Sequence, residues 1–275
     1  MSSELIINGV KHYYQWIRQD SGYPKPVMVF IHGWGGSSKY WIDTAQTLSD
    51  QFDCLLYDLR GFGRSGHSQN ADYEMETYAQ ELSLLLDKLE ISQVYIHAHS
   101  MGASIAVLFL AEYPHKACKA ILTCNGIFEY NKAAFAAFYF FGRYVVKFRY
   151  QWFLQIPLAD RLFMARFLCQ PIAGEKYKAF LEDFLDADAD AALGTIYTCV
   201  SKKSVDTMPD KFAAISVPTL LIAGEKDQII PPKLGQAAAL LNESIQYLEM
   251  EKTGHFPMLE DPQEYITRVR DFLSS

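Results

Sequence analysis

The sequence has no surplus of positive charge. Twenty-five Lys and Arg stand against 32 Asp and Glu in 275 residues, a formal net charge of −7. With no excess cations to neutralise a run of phosphates, no nucleic-acid partner is expected. Cysteine is scarce: Cys54, Cys118, Cys124, Cys169 and Cys199 are odd in number, widely spaced and mostly inside apolar runs. That usage fits small buried hydrophobes, with neither a disulfide framework nor a zinc pattern, and suits a reducing compartment. Long apolar runs are missing too. The longest uncharged one, Ala133 to Gly142, falls well short of the roughly 18–20 residues needed to cross a bilayer. The opening MSSELIINGVKHYYQWIRQD has no basic stretch leading into an apolar core, so no secretory leader is expected. These absences predict a soluble, cytoplasmic protein. There is no internal repeat and no low-complexity linker. With 50% hydrophobic and 21% charged residues, the chain can bury a sizeable core.

What is present is a rhythm. LIIN and KHYYQWIR flank Asn8-Gly9, a dipeptide that tolerates positive φ at both positions and so predicts an antiparallel hairpin. Then come VMVFIH, CLLYDL, QVYIHA, KAILTC, PTLLIAG and SIQYLEM, short β-rich runs bounded by polar or Gly-rich turns. Helical stretches lie between most of them: Ser38–Leu48, Met75–Leu89, Gly102–Glu112, Lys233–Leu241 and Pro262–Leu273. Alternating strands and helices predict an α/β fold with a doubly wound, mostly parallel central sheet covered on both faces. From about Ile127 to Val200 the rhythm stops, no buried strand is apparent and aromatics crowd FAAFYFFGRYVVKFRYQWF. This length suits a helical insertion between two core strands, dividing the chain into a core of residues 1–126 and 201–275 and an insertion of residues 127–200.

Ligands of open parallel sheets sit beyond the carboxyl ends of the strands. There the sequence places His32-Gly33-Trp34-Gly35-Gly36, Arg60-Gly61-Phe62-Gly63-Arg64-Ser65, His99-Ser100-Met101-Gly102, Glu225-Lys226-Asp227 and Thr253-Gly254-His255. A Ser, an acid and a His converge on one edge. This arrangement resembles the α/β-hydrolase superfamily, serine esterases and lipases with a helical cap, over essentially the whole chain except the aromatic insertion. Ala98-His99-Ser100-Met101-Gly102 is similar to the family's G-x-S-x-G nucleophile elbow, with Ala in place of the first Gly, and Ser100, Asp227, His255 follow the family's chain order. The resemblance implies Ser100 as nucleophile, His255 as base, Asp227 as the acid that orients it, and the backbone N–H groups of Trp34 and Met101 as the oxyanion hole. The other acid position some relatives use, after KAILTC, holds Asn125, which carries no charge. The resemblance further implies a cap after the sixth strand, an acyl-enzyme route, no cofactor and no metal.

Each of these residues also has a plainer role open to it. Ser100 suits a helix N-cap, His255 a surface Gly turn, and Asp227 a turn start with Glu225 nearby. His32, His97 and His99 lack metal-ligand spacing, and Asp58 and Arg60 in DLRGFGRSG suit loop bonding. HSQNAD, His67 to Asp72, matches an H-x-x-x-x-D pattern of acyltransferase relatives but sits in the wrong loop. The expected substrate is a small carboxylic ester with a hydrophobic acyl or alcohol part. The alternatives are a carbon–carbon bond hydrolase of the same fold, or a small-molecule receptor with an intact but slow triad. In the insertion, the aromatics either pack the cap and line an apolar pocket, or stand with Arg143, Lys147 and Arg149 at a lipid surface.

Overall fold

The computed structural model describes residues 2–20, 22–67 and 72–275. The strands are β1 Ser2–Ile7, β2 Val10–Ile17, β3 Val27–Ile31, β4 Asp53–Tyr57, β5 Val94–His99, β6 Ala117–Thr123, β7 Thr219–Gly224 and β8 Ile245–Met250. The helices are α1 Ile42–Leu48, α2 Met75–Lys88, α3 Met101–Glu112, α4 Lys132–Lys147, α5 Ala159–Met164, α6 Gly174–Asp186, α7 Ala189–Cys199, α8 Lys202–Ala213, α9 Pro232–Ala239, α10 Pro257–Glu260 and α11 Pro262–Ser274. The strands form one sheet in the order β1-β2-β4-β3-β5-β6-β7-β8. The first two pairings, β1 with β2 and β2 with β4, are antiparallel, and the rest are parallel.

The hairpin at Asn8-Gly9 closes as its sequence requires, with φ of 51° and 79°. The central strands are apolar on both sides because helices cover both. One face packs Val29, Ile31, Leu55, Ile96 and Leu122 against α2 and α3, and the other packs Met28, Phe30, Leu56, Ile121 and Ile222 against α1 and α11. Every residue of β7 is buried, and each such Leu or Ile contributes roughly 1.5–3 kcal/mol relative to an exposed one. The doubly wound, mostly parallel sheet is therefore as expected, and the predicted helix ends fall within about two residues except at the first, where Ser38–Trp41 forms a 3-10 turn and α1 starts only at Ile42.

Between β6 and β7 the chain runs through α4 to α8. Two of them, α7 and α6, lie against the carboxyl-edge loops: the methyl group of Ala191 of α7 meets Gly61, and the Phe184 ring of α6 meets Gly35. Asp58 and Arg60 bond locally as expected. Asp58 accepts from the N–H groups of Ser38 and Arg64, and Arg60 donates to Glu81 and to the carbonyl of Asp72. HSQNAD falls largely on residues 68–71, outside the described residues. Among the described residues, no helix is long and apolar enough to cross a membrane.

Candidate active site

β5 ends at His99 and α3 begins at Met101, leaving Ser100 to turn the corner at φ 53° and ψ −119°. A non-glycine residue there carries strain of order 1–3 kcal/mol, which persists only when the surroundings impose it. They do so by close packing: a Cβ at Gly102 would stand 2.5 Å from the carbonyl oxygen of His32. Asn125 holds the turn from the side, donating to the Ser100 carbonyl at 3.0 Å and to Ser104 Oγ at 2.9 Å. Replacing Ser100 with Gly should release the strain, and the urea midpoint should rise by the equivalent of about 1–2 kcal/mol with an unchanged slope. An unchanged or lower midpoint would show that the turn stores nothing.

The structure brings the three predicted side chains together. Ser100 Oγ–H donates to His255 Nε2 at 3.0 Å, and His255 Nδ1–H donates to Asp227 Oδ2 at 2.7 Å. The other oxygen of Asp227 accepts from the N–H groups of Ile229 and Ile230 at 2.8 and 3.0 Å, so both carboxylate oxygens are oriented. Asp227 and His255 are buried. Glu225, the neighbouring acid, instead pairs with Lys226 and accepts from the N–H of Lys252. The loops carrying Asp227 and His255 touch through a gap that only glycine permits: a Cβ at Gly224 would lie 1.9 Å from the Gly254 carbonyl oxygen.

Met101 opens α3, where backbone N–H groups point out of the helix start. Neither its N–H nor that of Trp34 donates to a protein acceptor among the described residues. The Trp34 ring reaches the insertion, its indole N–H donating to the Ala192 carbonyl at 2.9 Å and its face tilting on Phe184 at 5.6 Å.

Residues that carry no motif hold these parts in register. Gly33 N–H donates to Tyr40 Oη, and Tyr40 O–H donates to His99 Nδ1 at 3.0 Å. His99 Nε2–H then donates to the His255 carbonyl at 2.7 Å. One relay therefore joins the Trp34 loop, the Ser100 turn and the His255 loop, and fixes the His99 tautomer. Burial, followed by the nearby His255 charge, holds His99 well below the usual histidine range and keeps it neutral. Glu260 adds a second tie: its carboxylate accepts from the N–H groups of Gly254 and Phe256 on one side and of Cys169 and Gln170 of the insertion on the other.

His99, Cys124 and His255 place a donor atom each within 4.8 Å of one another, the spacing of a metal site. The donors do not suit one. Both nitrogens of both rings are already engaged, and burial, then the Asp227 charge, pushes the Cys124 thiol well up and keeps it protonated. His32 is also committed at both nitrogens, to the Gly33 carbonyl and the Leu59 N–H, whereas His97 is held at Nε2 alone, by the Tyr265 hydroxyl at 2.7 Å, its buried Nδ1 having no partner among the described residues.

The chain as a whole has relatives. A family described as the alpha/beta hydrolase fold matches residues 26–262. Lipase 1 of Psychrobacter immobilis is 25% identical, the alignment covering 100% of this chain and 84% of that protein. YugF, an uncharacterized hydrolase of Bacillus subtilis strain 168, is 25% identical over 98% of this chain and 96% of its own. A thermophilic esterase from Thermogutta terrifontis superposes with a TM-score of 0.80 at 22% identity, covering 100% of this chain and 98% of that one.

Proposed function

The chain belongs to the alpha/beta hydrolase fold family, and on that premise we propose that it is a serine hydrolase cleaving a carboxylic ester with a hydrophobic acyl or alcohol part. The observation that carries this reading is the unbroken line from Ser100 Oγ through His255 to Asp227, at 3.0 and 2.7 Å, on a strained turn. Ser100 attacks the carbonyl carbon while His255 Nε2 takes its proton, and Asp227 holds Nδ1–H and stabilises the imidazolium. The N–H groups of Trp34 and Met101 receive the negative charge that develops on the carbonyl oxygen. His255 protonates the leaving alcohol, then takes a proton from the water that resolves the acyl-enzyme.

Residues 127–200 act as the cap over a core of residues 1–126 and 201–275. A hydrophobic substrate fits the aromatic surroundings: Phe167 stands 6.1 Å from the His255 ring, Phe163 stacks on Phe184 at 4.8 Å, and Phe184 meets Trp34. Lipases and esterases among the relatives and fold neighbours agree with this class of substrate.

The test is labelling by a fluorophosphonate probe with peptide mapping, beside turnover of p-nitrophenyl esters of increasing acyl length. One equivalent of label on Ser100 and faster turnover of medium acyl chains than of acetate are expected. Absence of label at Ser100, or label without ester turnover but with carbamate or carbon–carbon cleavage, would overturn the proposal.

A further inference from the structure

The insertion carries an apolar surface that the site does not use. Phe141, Phe140, Tyr144, Phe148, Tyr150 and Trp152 touch in series, with ring centroids 5.6, 4.9, 5.9, 6.2 and 6.1 Å apart. Each is between 43% and 65% exposed. Of the sixteen residues of α4 only Phe135 and Val146 are buried, so most of this helix faces outward. Contiguous exposed apolar surface on a folded protein marks a contact.

Charge identifies the contact. Between Asn131 and Ile172 the sequence has six basic residues and a single acid, Asp160, a local +5 within a chain of net −7. The helix itself contains Lys132, Arg143 and Lys147 and no acid, and none of these three has a carboxylate partner among the described residues. Arg149 is turned inward to the carbonyls of Phe184 and Ala187, and Asp186 at the rim is held by Gln151. A second copy docking face to face would set the cations Lys132, Arg143 and Lys147 against the same three cations. An anionic bilayer answers both the aromatic rings, which suit the headgroup region, and the cations beside them.

We propose that the exposed aromatic ladder of residues 140–152, with Lys132, Arg143 and Lys147, docks this protein on anionic lipid surfaces. Screening confines what the bilayer senses to charges within about 10 Å, so the patch outweighs the distant net negative charge. The ladder also leads inward: Trp152 meets Phe153 at 4.6 Å, and Phe153 packs against the buried cluster of Leu181, Phe184 and Leu185, on which Trp34 also packs. A docked surface is thereby joined to the loop beside Ser100.

The experiment is cosedimentation of the full chain, as its Ser100→Ala variant so that no lipid is consumed, with phosphatidylcholine vesicles with and without roughly 30% phosphatidylglycerol. Because no catalytic group is involved, this result stands apart from the ester assay. At least tenfold stronger partition to the anionic vesicles is expected, weakening with salt. A cation near an anionic surface is worth roughly fivefold, so Lys132→Glu, Arg143→Glu and Lys147→Glu together should lower partition about a hundredfold. Phe141→Asp with Trp152→Asp should lower it at least tenfold while leaving the thermal melt unchanged, since both side chains are exposed. No sedimentation with anionic vesicles at low salt would overturn the proposal. So would binding that the charge variants leave intact, or self-association in sedimentation velocity that Phe141→Asp abolishes while vesicles leave the protein in the supernatant.

Discussion

Ser100→Ala is expected to lower kcat on a soluble p-nitrophenyl ester by about 10⁵–10⁶-fold, and adding His255→Ala should cost little more, because the two groups act as one unit. The geometry explains the coupling: the imidazole has nothing to deprotonate without Oγ, and Oγ at 3.0 Å from Nε2 has no other base. Asp227→Asn makes a sharper test. The carboxylate now accepts from His255 on one oxygen and from Ile229 and Ile230 on the other. An Asn that keeps its oxygen towards the two backbone donors turns its NH₂ towards Nδ1, which forces the proton onto Nε2 and removes the lone pair that faces Ser100. A loss of about 10⁴-fold in kcat with KM little changed is expected. Parallel losses of less than about tenfold in all three variants would mean that the chemistry lies elsewhere on the molecule.

The parts of the fold that could be read from sequence share one physical cause. Strands buried on both faces must be apolar throughout, so VMVFI and TLLIAG announce themselves, and Asn8-Gly9 marks a turn whose positive φ the structure reproduces. Helix α8 was not readable in the same way: Pro209 lies in its interior, and proline normally signals a break. The short α10 begins with Pro257 and has only four residues, too few for a period to show.

At the site, chemistry confined to strand ends was readable and long-range ties were not. The order of Ser100, Asp227 and His255 is a pattern along the chain, and the fold brings the three to one edge. Tyr40 and His99 meet across 59 positions, His99 and the His255 carbonyl across 156, Ser37 and Asp183 across 146. No local period predicts such pairs. The one available signal was an excess of histidine at strand ends, which reads equally well as a metal site until the hydrogen-bond partners of each ring are known. Glu260 was hidden for a related reason: its five contacts are all to backbone N–H groups, and backbone carries no sequence signature.

The same buried histidines should make the protein acid-sensitive well above the carboxylate range. Burial, followed by the Arg60 charge, lowers His12 to about 4, and burial lowers His97 to about 3; His32 and His99 are lowered as well. The unfolded chain, with histidines near 6.5, then binds more protons than the folded one below that pH, so stability is full at neutral pH and falls as the solution is acidified through 6.5 towards the folded values. At pH 5, His12 and His97 should each remove about 2 kcal/mol, a combined effect of order 10³ in the folding equilibrium. Glu81 and Asp183, whose carboxyls burial pushes up, work in the opposite direction, so the decisive measurement is a difference between variants. Both ring nitrogens of His12 lack a partner among the described residues, so His12→Leu removes its titration without breaking a bond. Urea unfolding at pH 7.5 and 5.0 should show the wild-type protein losing about 2 kcal/mol more than the variant over that interval. Equal losses would mean that the buried ring is protonated in the folded state.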